Sequence, residues 1–217
     1  MCGHCCTCGV CTCWSDAISA TLPIVVSTQS RGGKGSSTVS LAAGDQWGMS
    51  AGERAYVKQQ VDYCCRPAWR AWRKTPLVAR EARALKACEQ LGLAVPKVLY
   101  FDAGKRAGTL VLAELVDHRP LDTAVAGAST PLRRRLLERT GRYIGLLHRA
   151  GWYHGALYAH HILISPDGEP RLIDFEKARR SRRRRTEDLD RFWRHNQFLN
   201  DDDKAAILAA YQQALNT

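Results

Sequence analysis

His161 and Asp174 stand at the two ends of a stretch that reads as a β-hairpin. Asp167-Gly168 is a two-residue turn signal between the apolar runs Ile162-Leu163-Ile164 and Leu172-Ile173. A hairpin centred there pairs Ser165 with Pro170 and sets His161 directly across from Asp174, with Cβ atoms about 5 Å apart. An imidazole and a carboxylate at the mouth of an apolar hairpin make either a plain hydrogen bond or a pair of ligands for a cation. A second pair comes from the first half of the chain. Lys58 lies inside the run Ala55 to Val61, where a buried lysine is costly without a partner. Glu81 falls on the apolar stripe of the next helix and is placed to supply one. Ahead of both lies a glycine-rich turn with Gly32, Gly33 and Gly35. A lysine–glutamate pair, a glycine turn before it and a carboxylate after a hairpin are the parts that phosphoryl transfer requires.

The elements that must carry these residues can be read from pattern. Thr21 to Ser27 and Thr38 to Leu41 are β-branched runs on either side of the Gly/Ser turn, and Ala55 to Val61 makes a third strand. Thr75 is placed to cap a helix and Pro76 to open it. Leu77, Val78, Glu81, Leu85 and Cys88 recur at helical spacing until Gly92 stops the pattern. Val95 to Asp102 and Thr109 to Leu115 read as two more strands. The remainder is mainly helical. One helix runs from Pro131 to Ala150 on the stripe Leu132, Leu136, Thr140, Tyr143, Ile144 and Leu147. The hairpin (His161 to Ser165, Pro170 to Asp174) follows, and helices near Thr186 to Phe198 and Asp201 to Leu215 close the chain. The fold class is therefore α+β. A cysteine-rich segment (1–20) precedes a β-rich part (21–116) and a mainly helical part (117–217).

Composition narrows the choices. The chain has 217 residues, 45% of them hydrophobic, with 32 Lys plus Arg against 21 Asp plus Glu and a formal charge of +11. No run approaches the roughly 18 apolar residues of a membrane span. Met1 to Trp14 lacks the pattern of a secretory signal, so the cytoplasm is the expected location. Six of the nine cysteines crowd into Cys2, Cys5, Cys6, Cys8, Cys11 and Cys13, too close to pair in good disulfide geometry. Their C-x-x-C spacings suit zinc, but no second ligand pair follows, so an incidental start is the competing reading. Cys64, Cys65 and Cys88 read as small buried residues. The basic excess gathers at Arg179 to Arg185, either a solvated run or a face for a polyanion. Without interleaved aromatics or a recognised motif, nucleic acid is an unfavoured partner. A zinc hydrolase built on His154, His160, His161 and Asp174 lacks the helical H-x-x-x-H spacing.

Four segments together carry a resemblance. Tyr56-Val57-Lys58, Arg80-Glu81-Ala82, His154-Gly155-Ala156-Leu157-Tyr158-Ala159-His160-His161 and Ile173-Asp174-Phe175-Glu176-Lys177-Ala178-Arg179 resemble the lipopolysaccharide core kinases of the WaaP/InaA group. These are relatives of protein kinases that phosphorylate inner-core sugars. The resemblance runs from about Arg31 to the C-terminus. It implies a two-lobed, protein-kinase-like fold with a β-rich N-lobe carrying one helix and a reduced, mainly helical C-lobe. It implies ATP and Mg2+ as cofactors and a sugar or glycolipid as acceptor. Gly32 and Gly33 would cover the phosphates, Lys58 would contact them and Glu81 would hold Lys58. Glu114 and Leu115 would offer backbone groups to adenine. Asp174 matches the metal-binding aspartate, and His161 takes the place of the second metal ligand; imidazole suits Mg2+ poorly, so His161 would either touch a phosphate or favour Mn2+. His154 joins Lys58 and Asp174 as a catalytic candidate, with Tyr158 and His160 as other groups able to orient an acceptor hydroxyl; each also has a structural reading, in which His154 locks the catalytic loop and Tyr158 packs. The catalytic-loop aspartate of protein kinases falls at Ala156. Two readings follow: a kinase acting on a lipopolysaccharide core sugar, or a pseudokinase that binds nucleotide or scaffolds. In the first, Arg179 to Arg185 would hold the protein against the anionic inner face of the membrane.

Overall fold

The computed structural model describes residues 23–30, 35–65 and 75–217. The cysteine cluster Cys2 to Cys13 and the turn glycines Gly32 and Gly33 lie outside the described residues.

Strands β1 (Ile24–Ser30), β2 (Ser36–Ala43) and β3 (Arg54–Val61) follow one another in the first half. Two short strands, β4 (Cys64–Cys65) and β5 (Thr75–Pro76), pair before helix α1 (Leu77–Gln90). Strands β6 (Val98–Ala103) and β7 (Ala107–Ala113) come next. The five longer strands form an antiparallel sheet in the order β1-β2-β3-β7-β6. Lys58 sits at its centre, across from Val39 on one side and Leu110 on the other.

Helix α1 begins later than its sequence suggests. Thr75 and Pro76 are extended, because their backbone is paired with Cys65 and Cys64 in β5. Thr75 therefore makes no cap. The first helical amides find partners elsewhere: Leu77 N donates to Tyr63 O at 3.1 Å and Val78 N to Gln60 Oε1 at 2.8 Å. A β3 side chain thus does what an N-cap residue usually does. Gly92, at φ +72°, ends the helix as expected. Cys88 is buried, whereas Cys64 and Cys65 are half-buried.

The second half opens with β8 (Arg119–Pro120) and a short helix α2 (Leu121–Ala126) that the sequence pattern did not disclose. Helix α3 (Thr130–Arg149) buries Leu136, Thr140, Tyr143, Ile144 and Leu147, while Leu132 stays exposed near its start. After β9 (Trp152–Tyr153) come β10 (Ile162–Ile164) and β11 (Pro170–Leu172). Strand β12 (Arg179–Arg180) pairs back onto β9, and helices α4 (Arg185–His195) and α5 (Asp201–Asn216) follow. The contact between α3 and α5 is close. A Cβ on Gly141 would fall 2.2 Å from Ile207 O, and one on Gly145 would fall 2.6 Å from Tyr211 O. Two glycines four residues apart on one face let the backbones touch.

The hairpin is one residue out of the expected register. Ile162 faces Leu172 and Ile164 faces Pro170, so the turn holds three residues rather than two. Ser165 N donates to Glu169 O, Gly168 N donates to Ser165 O, and Gly168 takes φ +83°. The Ser165 hydroxyl bonds both Asp167 and the Glu169 backbone and so favours the longer turn. In this register His161 lies opposite Ile173, whose N–H donates to His161 O.

Candidate active site

Lys58 is the meeting point of the two halves. Its ammonium lies 2.7 Å from Glu81, 3.2 Å from Glu176 and 3.6 Å from Asp174. Glu81 arrives from the buried face of α1, and its side chain is 1% exposed. Asp174 and Glu176 arrive from the far side of the cleft, on the short 3-10 turn Phe175–Lys177 that packs against α1. Burial opposes the charge on Lys58, but the three carboxylates outweigh it and raise the pKa above its ordinary value. Burial pushes the Glu81 carboxyl up to about 7, aided by Asp174 and Glu176 and resisted by Lys58.

Although the register differs, His161 and Asp174 still meet. Asp174 adopts a left-handed backbone (φ +61°, ψ +61°), which brings its Oδ2 within 3.6 Å of His161 Nε2. His161 Nδ1 lies 2.8 Å from the Ala156 carbonyl, which can only accept, so Nδ1 carries the proton. Burial lowers the His161 pKa, which favours the neutral ring. The Nε2 lone pair then faces a carboxylate with no proton between them, and a cation satisfies both. Asp174 is also held below its ordinary pKa: burial works against this, and the Lys58 ammonium outweighs it. Glu81, Asp174 and Glu176 each offer an oxygen within 4.8 Å of the others.

His154 is enclosed. Its ring is fully buried, Nε2 donates to Ile173 O at 2.9 Å, and the ring packs edge-on against Phe175 at 4.7 Å. Burial lowers its pKa to about 4. The neutral, enclosed ring is bonded to the backbone just before Asp174. Tyr158 and His160 stack at 5.3 Å, with His160 exposed. Ala156 is buried and brings no ionisable group to the loop. Glu114 differs in part from expectation, since its N–H donates to Arg54 O and its carboxylate takes the Arg54 guanidinium through two 2.7 Å bonds. Leu115 follows the end of β7 and is half-buried.

Three contributors were not visible in the sequence. Glu176 has no periodic signal, because a 3-10 turn leaves none. Gln60 ties the halves together by donating to Glu176 Oε1 at 2.8 Å while it accepts from Val78. Asp188, buried in the first turn of α4, accepts from the backbone N–H groups of His154 and Gly155 and contacts His148. It holds the 154–156 loop from below.

The profile of the lipopolysaccharide kinase (Kdo/WaaP) family matches residues 22–211. The chain belongs to this family. It is 26% identical to Protein InaA of Escherichia coli K12 over 144 residues, which is 61% of this chain and 66% of InaA. It is 38% identical to the 3-deoxy-D-manno-octulosonic acid kinase of Stenotrophomonas maltophilia R551-3 over 116 residues, 51% of this chain and 44% of that protein. The matches therefore span less than two thirds of these curated relatives. A crystal structure of aminoglycoside-3'-phosphotransferase of type VIII superposes with a TM-score of 0.60 at 16% identity, covering 90% of this chain and 87% of that one. This likeness shows the fold, a protein-kinase-like arrangement of a β-rich N-lobe and a mainly helical C-lobe. Among the described residues of this Kdo/WaaP family member, no helix is long and apolar enough to cross a membrane.

Proposed function

We propose that this chain is an ATP-dependent phosphotransferase that phosphorylates a sugar hydroxyl of the lipopolysaccharide core. The observation that carries this reading is the placement of the Lys58 ammonium between Glu81 of one half and Asp174 of the other. Lys58 contacts the α/β-phosphates, Glu81 fixes Lys58, and Gly32 and Gly33 are the residues assigned to cover the triphosphate. The adenine edge meets the Glu114 carbonyl and the Leu115 backbone, since the Glu114 N–H is already bonded. Asp174 and His161 hold the divalent metal, which when bound would neutralise phosphate charge. The His161 tautomer fits this role, and a nitrogen ligand favours Mn2+ over Mg2+.

The acceptor side is built without a carboxylate at Ala156. A loose transition state asks the protein mainly for positioning and electrostatics, and exposed His160 is the group available to orient a hydroxyl. Ala156 also supports the second reading, a nucleotide-binding pseudokinase. Transfer of radiolabelled phosphate from ATP to deacylated lipopolysaccharide core separates the two. Transfer by wild type and none by Asp174→Asn supports the kinase. ATP binding with no transfer by any form leaves the pseudokinase. Peripheral contact with anionic lipid through exposed Arg180, Arg182 and Arg183 belongs to the same proposal.

A further inference from the structure

Beside the cleft lies a cavity of about 810 Å³ that the phosphotransferase reading does not use. Among the described residues five basic ones line it: Arg80 of α1, Lys177 and Arg179 after the Asp174 turn, Arg184, and Arg191 of α4. Its acidic residues are already engaged. Asp62 pairs with Arg106, Glu176 with Lys58 and Glu187 with Arg184, while Asp188 accepts from backbone amides. The cations are not equally engaged. Among the described residues Arg80, Lys177, Arg179 and Arg191 make no ion pair with a carboxylate. Among the described residues Arg80 bonds the Glu176 carbonyl, at 3.2 Å, and Arg191 the Tyr158 hydroxyl, at 3.3 Å. Gly155, at φ +77°, forms part of the wall where a side chain would strike Lys177 O at 2.7 Å, so the basic turn lies directly on the loop backbone.

We infer that this cavity is a binding site for a phosphate-bearing organic ligand, distinct from the nucleotide site. Neither Lys58 nor Asp174 lines it, and the Glu176 side chain stands between the two spaces. Guanidinium groups from α1 and α4 converge on it from opposite halves, which is the arrangement that fork-shaped recognition of a phosphate requires. Its volume lies within the roughly 300–1,000 Å³ of small-ligand sites and is far larger than a free phosphate needs. The ligand therefore carries a body, of sugar-phosphate size, behind its charged group. An occupant would join Arg80 to Arg179 and Arg191 and so brace the helix that carries Glu81. This inference does not rest on transfer activity.

The test is titration calorimetry at fixed ionic strength with a hexose phosphate, the unphosphorylated hexose and inorganic phosphate as probes. Hexose phosphate is expected to bind wild type with the same affinity in the presence and absence of a saturating non-hydrolysable ATP analogue, and the plain hexose not at all. Lys177→Ala/Arg179→Ala, a double change at exposed positions, is expected to weaken binding by at least about tenfold. Arg191→Lys, which keeps the charge and loses the fork, should weaken it as well. Unchanged affinity in the double variant overturns the site, as does competition by the ATP analogue, which would put the anion in the nucleotide cleft. Inorganic phosphate binding as tightly as hexose phosphate overturns the organic ligand and leaves only a free anion.

Discussion

Glu81 and Asp174 approach the same ammonium under opposite circumstances. Glu81 hangs from a helix whose face is packed into the core, and its side chain is 1% exposed. Asp174 stands on a turn at the cleft, 37% exposed, with a left-handed backbone that few non-glycine residues adopt. One carboxylate is fixed by packing and has a single close partner. The other is shared among Lys58, His161 and whatever enters the cleft. The difference separates an anchor from a ligand: mutation of the first should be felt in stability, and of the second in chemistry.

The sharpest break between them is Asp174→Asn. Asparagine tolerates the left-handed backbone, so the fold should persist while transfer falls by about a thousandfold or more. Single-turnover phosphorylation checks the first effect and urea denaturation the second; an equal loss of stability in Asp174→Asn would erase the distinction. Glu81→Ala should show the reverse emphasis, costing about 3 kcal/mol because it leaves Lys58 short of its closest buried partner. Glu176, at 3.2 Å, limits that loss, and a Glu81→Ala/Glu176→Ala double variant should lose more than the sum of the singles.

The helical half offers a control that touches neither carboxylate. Gly141→Ala places a methyl 2.2 Å from Ile207 O, so α3 and α5 must separate, at a cost of about 2–3 kcal/mol. Metal-dependent ATP affinity should be unaffected, as equilibrium dialysis would show. His154 gives a pH-dependent counterpart. Its folded pKa is depressed to about 4 from 6.5, so its contribution is complete above pH 6.5 and is lost as pH falls toward 4. The loss reaches about 3 kcal/mol. Glu81, raised to about 7 from 4.5, acts in the opposite sense between pH 7 and 4.5. The His154 effect is therefore read as the difference between wild type and His154→Gln across pH 7 to 4, and parallel curves would contradict it. The smallest effect belongs to the surface. Charge reversal at Arg182 and Arg183 should reduce co-sedimentation with anionic vesicles and leave stability within about 0.5 kcal/mol of wild type.

Much of this division was readable before any coordinates. Lys58 on a strand and Glu81 on a helical stripe follow from period-2 and period-3.6 patterns, and the pair forms at 2.7 Å. The parts that escaped depend on contacts that leave no period. The hairpin slipped by one residue because the Ser165 hydroxyl, rather than the Asp167-Gly168 pair alone, sets the turn. Thr75 reads as a cap until its backbone is seen paired with Cys65, and the real cap, Gln60, lies on another element. His154 reads in the sequence as either catalytic or loop-locking, and its enclosure against Phe175 leaves no periodic signal that would choose between them. Short 3-10 turns, which carry Glu176 and His161, have no pattern of their own.

The central claim is that Lys58 and Asp174 together hold a metal-bound triphosphate between the two halves. ATP with Mg2+ or Mn2+ should raise the melting temperature of wild type, because a ligand that binds only the folded state stabilises it. Lys58→Ala and Asp174→Asn should each lose most of that rise while keeping a cooperative transition. An equal rise in all three proteins would place the nucleotide elsewhere and contradict the account.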